Sequence, residues 1–134
     1  MIRIVLVDDH PAFRWITRRL LDRYPEVAVV GEAATGIEAP EVVAQVQPDV
    51  VLLDVQMPVL DGIATTTQLR RAYPAVQVIL FTGSADDDAV RDGLRAGAVA
   101  ALPKTTRPDR LVAALRAARE WDQPGVACTA ESGG

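Results

Sequence analysis

Pro48-Asp49-Val50-Val51-Leu52-Leu53-Asp54 is the stretch that decides the fold. Four apolar residues rich in valine follow a proline and stop at an aspartate, without the polar-apolar alternation of a strand that shows one face to water. Such a run fits a short strand covered on both faces, as in a parallel sheet between helices. Working outward, Ile2–Val7 and the segments 27–30, 76–81 and 99–102 have the same character. Between them Pro11–Leu21, 37–46, Gly62–Ala72, 89–96 and 110–121 carry apolar residues at helical spacing. Strand and helix alternate five times, which predicts an α/β layer fold. Boundary residues agree. Asp9 and Pro11 suit the start of the first helix, Pro25 and Pro48 precede strands, Gly62 follows an aspartate in a loop, and Gly97 closes the fourth helix. Pro40 is tolerated only in the first turn of the second helix, unless that helix starts late or is distorted.

The chain has 134 residues, 49% hydrophobic and 24% charged, enough for one domain with one core. No apolar run approaches the roughly 18 to 20 residues of a membrane span. Met1-Ile2-Arg3 leads straight into the first strand without the pattern of a signal peptide, so the expectation is a cytoplasmic protein that does not enter a membrane. Cys128 is the single cysteine, which excludes an internal disulfide and a cysteine-based metal cluster. A net charge of -4 argues against a broad basic face, so no direct nucleic-acid binding by this chain is expected. Lys104 is the sole lysine among 14 basic residues; the others are arginine. A lysine in that setting marks a place for a compact, flexible ammonium. The expected domain is 1–122, with 123–134 a flexible tail or the start of a linker.

Chemistry is carried by the residues at the strand ends. Asp8 and Asp9 follow Val7, Asp54 follows Leu53, Thr82 follows Phe81, and Lys104 lies just beyond Leu102 and Pro103. In a parallel sheet all carboxyl ends share one edge, so these residues converge. Three close carboxylates repel unless a cation neutralises them. An all-oxygen donor set suits a hard ion, Mg²⁺ first and Mn²⁺ second. A carboxylate nucleophile, a metal, an ammonium and a hydroxyl are together the parts of a phosphoryl-transfer site.

In order along the chain stand Val5-Leu6-Val7-Asp8-Asp9-His10-Pro11, Pro48-Asp49-Val50-Val51-Leu52-Leu53-Asp54-Val55-Gln56-Met57-Pro58, Asp61-Gly62, Leu80-Phe81-Thr82-Gly83, and Arg95-Ala96-Gly97-Ala98 leading to Lys104. From 2 to about 119 the sequence resembles the receiver domains of bacterial two-component response regulators. Its Asp-Asp-His-Pro and Arg-Ala-Gly-Ala segments resemble the NarL/FixJ (LuxR-type) subfamily. The resemblance implies a flavodoxin-like (βα)5 fold, doubly wound, with strand order 2-1-3-4-5. It implies that Asp54 is the phosphoacceptor, served by a sensor histidine kinase. Asp9, Asp54 and the Gln56 backbone carbonyl would ligate Mg²⁺, and Asp8 would act through a metal-bound water. Lys104 would pair with the phosphoryl group, Thr82 would hydrogen-bond it, and Gly83 would leave the site open. Gln56 and Ser84 stand where the family sets the lifetime of the phosphoryl group. Output would run through the surface of the fourth helix, fifth strand and fifth helix, as transcription regulation if a DNA-binding domain follows, with a homodimer allowed. Two positions depart from the pattern: Ala101 stands where many receivers carry an aromatic switch residue, and Thr105 stands where many have proline after the lysine.

Blander readings compete. Asp8 or Asp9 could be only a helix N-cap. His10 reads as an exposed loop-to-helix residue rather than a ligand, and Asp86-Asp87-Asp88 as a solvated helix start. Met57 reads as packing near the site loop, and Trp15 and Trp121 as either a partner face or core. For function, the rivals are a phosphorylation-independent interaction module, which the intact acidic, Thr82 and Lys104 positions argue against but Ala101 keeps open, and a small Asp-nucleophile phosphatase. Such a phosphatase needs a second, offset carboxylate and a cap, whereas Asp8 and Asp9 are adjacent. The expectation is a switch and not an enzyme acting on other substrates.

Overall fold

A computed structural model describes residues 1–55, 62–83 and 87–120. The expectations for Gln56, Met57, Pro58, Asp61, Ser84, Asp86, Trp121, Cys128 and the segment 123–134 lie outside the described residues. The chain runs β1 (Ile2–Val7), α1 (Pro11–Leu21), β2 (Val27–Ala33), α2 (Ala39–Val46), β3 (Val50–Leu53), α3 (Gly62–Ala72), β4 (Gln77–Thr82), α4 (Asp87–Arg95), β5 (Ala100–Pro103) and α5 (Pro108–Arg119). The five strands form one parallel sheet in the order β2-β1-β3-β4-β5.

The unbroken apolar runs have the cause expected of them. Val5, Val7, Val51, Leu53, Val78 and Leu80 point to one face and pack with Ala39, Val43 and Leu69 of α2 and α3. Their chain neighbours Ile4, Leu6, Leu52, Ile79 and Phe81 point to the other face, against Leu21 of α1 and Leu111, Val112 and Leu115 of α5. Alternate residues of each strand therefore enter two cores, and water sees neither face.

Three elements, β1, α1 and β3, match the expected bounds, as does α3. β2 extends to Ala33 rather than ending at Val30, because β1 keeps pairing beyond a register shift between Ile4 and Val5. α2 begins at Ala39 instead of Ile37, which places Pro40 in the first turn, where its missing N–H costs nothing. Asp9 does not cap α1. His10 is the cap residue, without a side-chain capping bond, and Pro11 opens the helix. Gly97 has φ +122, and the Gly97 N–H to Leu94 and Ala98 N–H to Gly93 bonds close α4 in a Schellman arrangement. Trp15 is 60% exposed, with the Arg19 guanidinium over its ring, so it is not core. No described peptide bond is cis, that between Lys104 and Thr105 included. None of the described helices is long and apolar enough to cross a membrane.

Candidate functional site

Register alone sets the edge. Val7 pairs with Leu53, Leu53 with Leu80, and Thr82 with Pro103, so the carboxyl ends of β1, β3, β4 and β5 stop side by side. Backbone bonds lock the residues that follow: Asp54 N–H to Val7 O, 2.9 Å, Asp8 N–H to Ala33 O, 3.1 Å, and Lys104 N–H to Thr82 O, 2.8 Å. Asp8, Asp54 and Thr82 are buried there.

The Lys104 ammonium reaches this edge from β5. It lies 2.5 Å from Asp8 Oδ2 and donates to Asp54 Oδ2 at 3.3 Å. Asp8 Oδ1 accepts the His10 backbone N–H at 2.8 Å, an Asx turn that orients the carboxylate toward the pocket instead of capping α1. Arg14 of α1 donates to the Asp8 carbonyl and to Glu32 of β2, fastening the helix start to the sheet. Gly62, at the start of α3, donates its N–H to Val55 O. A Cβ there would lie 2.5 Å from the Asp54 carbonyl oxygen, so only glycine lets α3 start this close behind the site. Among the described residues, a Cβ at Gly83 would meet only the Lys104 stem, at 3.7 Å.

Two participants were not foreseen. The sequence reads His10 as an exposed loop-to-helix residue. Its side chain is indeed 63% exposed, yet Nδ1 lies 2.9 Å from Asp8 Oδ1, 3.1 Å from Asp9 Oδ1 and 4.0 Å from Asp54 Oδ2. Its adjacency to the aspartate pair was the available signal. Phe13 is the other: the Lys104 ammonium sits over its ring, 4.3 Å from the centroid. Nothing in the sequence pointed to that contact beyond an aromatic residue in the first turn after the aspartates.

The pocket fits a hard divalent cation. Donor atoms of Asp8, Asp9, His10 and Asp54 all lie within 4.8 Å of one another. Three carboxylates face one ammonium, and of these three Lys104 contacts Asp8 and Asp54. Asp9 Oδ1 is buried and accepts no hydrogen bond among the described residues, although the His10 ring is close. An anionic oxygen in that state is satisfied by a cation, and oxygen-rich pockets suit Mg²⁺ or Mn²⁺.

Residues 4–116 match the family model of the response regulator receiver domain. The chain belongs to that family. Among curated proteins it is 37% identical over 122 residues to the transcriptional regulatory protein LiaR of Bacillus subtilis, covering 91% of this chain and 58% of LiaR. It is 35% identical over 115 residues to the nitrate/nitrite response regulator NarL of Escherichia coli K12, covering 86% of this chain and 53% of NarL. The receiver domain thus spans little more than half the length of these relatives. Its fold superposes on the receiver domain of the NarL response regulator of Mycobacterium tuberculosis with a TM-score of 0.82 and 35% identity, covering 90% of this chain and 98% of that one. The relatives are response regulators of the NarL/LuxR type, and the domain is a signalling module of two-component systems. The family normally carries Mg²⁺ in an acidic pocket, and this receiver has such a cluster.

Proposed function

We propose that Asp54 is the phosphoacceptor of this receiver, taking a phosphoryl group from a phosphohistidine of a sensor histidine kinase. The observation that carries the reading is the Lys104 ammonium within 3.3 Å of the buried Asp54 carboxylate, at the edge where Asp8 and Asp9 also lie. In the transfer an Asp54 carboxylate oxygen attacks phosphorus, the O–P bond forms as the N–P bond breaks, and the imidazole leaves with its electron pair and is protonated. Asp54 is held in place by its backbone bond to Val7. Lys104 offsets charge on the phosphoryl oxygens, and Thr82 donates its hydroxyl to one of them. Mg²⁺ is the proposed resident ion, held by Asp9, Asp54 and the Gln56 carbonyl with Asp8 acting through water. When bound, it supplies charge neutralisation at the phosphoryl oxygens.

The module would act in the cytoplasm as a switch rather than an enzyme on outside substrates. The acyl phosphate brings charge nearer -2 in place of -1, and the loops and α4 adjust to satisfy it. The likeness to LiaR and NarL supports transcription regulation as the role of the whole protein, through a DNA-binding domain distinct from residues 1–122. Trp15, Ile16 and Leu20, exposed on α1, support protein docking there, by the kinase or a second copy. One observation favours a phosphorylation-independent module instead: half-buried Ala101 has no ring to move.

Incubation with Mg²⁺ and acetyl phosphate, followed by intact-mass measurement, tests the reading. We expect a gain of one phosphoryl group, absent in Asp54→Asn and without Mg²⁺. No gain with acetyl phosphate or phosphoramidate would leave the constitutive module standing, and sustained turnover of phosphate esters would favour the phosphatase.

A further inference from the structure

A lysine ammonium on a four-carbon stem is free to rotate, so holding it between two carboxylates needs a constraint on its other side. Here that constraint is Phe13. The Lys104 side chain is only 15% exposed, with Asp8 and Asp54 in front and the face of the Phe13 ring behind, 4.3 Å from Nζ. The negative face of an aromatic ring attracts a cation placed in this way. Phe13 is fixed in turn by Phe81, whose ring lies 5.5 Å away at a 47° tilt. Phe81 immediately precedes Thr82, so one aromatic pair touches the ammonium and backs the residue that carries the hydroxyl.

The Phe13 ring also lines two spaces, as does its neighbour Phe81. One is a cavity of about 10 Å³ lined by Phe13, Asp8, Asp54 and Phe81. The other is a groove of about 90 Å³ between α1 and α5, lined by Phe13, Ile16, Leu20, Pro108 and Leu111, with Lys104 at its edge. Position 101, where a mobile ring would be sought, holds alanine.

We infer that Phe13 is a positioning residue of this receiver: its ring holds the Lys104 ammonium at the carboxylates and, once the ammonium is drawn to the phosphoryl group, passes the change to the α1/α5 groove. The inference rests on the reading of Asp54 as phosphoacceptor, and its first half concerns the resting protein alone.

Because Lys104 is the only lysine, protein grown with ¹³C,¹⁵N-lysine gives a single side-chain spin system in NMR. Its ε protons are expected upfield in the wild type through the ring current, near the unperturbed position in Phe13→Leu, and upfield again in Phe13→Tyr. The wild type and both variants are first checked for cooperative melting. Phosphoryl uptake from acetyl phosphate is expected to slow about 3- to 10-fold in Phe13→Leu and to recover in Phe13→Tyr, a span set by the strength of a partly desolvated cation–π contact. Adding Mg²⁺ and beryllofluoride, a phosphoryl mimic, to the wild type is expected to reduce the upfield shift as the ammonium leaves the ring. A lysine signal that is the same in wild type and Phe13→Leu, or full-rate uptake by a Leu variant that has lost the shift, overturns the role of Phe13. An upfield shift that survives beryllofluoride overturns the relay. A wild type that gains no phosphoryl group sinks the reading of Asp54 instead, and the resting lysine spectrum still decides whether the ring holds the ammonium.

Discussion

Helices α4 and α5 flank the same strand, β5, yet they are attached in different ways. α5 buries Leu111, Val112, Leu115 and Ala118 in the core it shares with α1. On α4, among the residues whose side chains are described, only Gly93 is fully buried, and Leu94 is 40% exposed. One helix is anchored by large apolar side chains; the other meets the core through Gly93, close to Leu80, and the partly buried Ala89. Elements with few buried apolar contacts open at the lowest free energy, so α4 is expected to open more readily than α5. The site residues also divide along the sheet: Asp8 and Asp54 follow β1 and β3, while Thr82 ends β4 and Lys104 follows β5.

The largest expected effect tests the anchored side. Leu115 is fully buried, and Leu115→Ala should cost about 3 kcal/mol, from lost transfer energy and the cavity left behind. Urea unfolding reads this directly as a lower midpoint. A loss under about 1 kcal/mol would mean that α5 is no better anchored than α4, and the contrast would disappear.

Gly93→Ala probes the other helix. A Cβ at Gly93 would lie 2.3 Å from Leu80 Cδ1, and Leu80 is itself fully buried. In a rigid core such overpacking costs up to about 3 kcal/mol. A shallowly docked α4 can instead lift away, so the expected loss is near 1 kcal/mol, with faster amide exchange in α4 and none in α5. A full-sized loss without faster exchange would show that α4 is as fixed as its neighbour.

The same contrast explains what the sequence could and could not convey. Strand runs such as Val50–Leu53 were legible because burial on both faces writes a continuous apolar signal. The convergence of Asp8, Asp9, Asp54 and Lys104 was legible because chain order places every strand end on one edge. β2 was read short, since Gly31 and Glu32 resemble a strand exit and only pairing with β1 keeps them in the sheet. His10 and Phe13 were missed for a different reason. Their roles depend on side-chain direction from a helix start, where a capping reading and a site reading use the same residues. Motif order carries the resemblance to the receiver family, whereas the places of His10 and Phe13 at the site depend on the folded arrangement of the α1 start.

The smallest expected effect concerns Asp9, whose carboxylate Lys104 does not contact. In the metal-free protein its charge repels those of Asp8 and Asp54, and its buried Oδ1 accepts no hydrogen bond among the described residues. Asp9→Asn removes that charge, so without divalent ions the variant should be more stable than the wild type by about 0.5 kcal/mol. The gain is kept small because the Asp9 side chain is 28% exposed and solvent screens it. Adding Mg²⁺ should reverse the order: the wild type gains stability by binding the ion, and the variant, with a proposed ligand weakened, gains much less. Paired thermal melts with EDTA and with Mg²⁺ read both signs. If Asp9→Asn were destabilised without metal, Asp9 would be serving the fold, and the strain in this half of the edge would have to lie elsewhere than among its carboxylates.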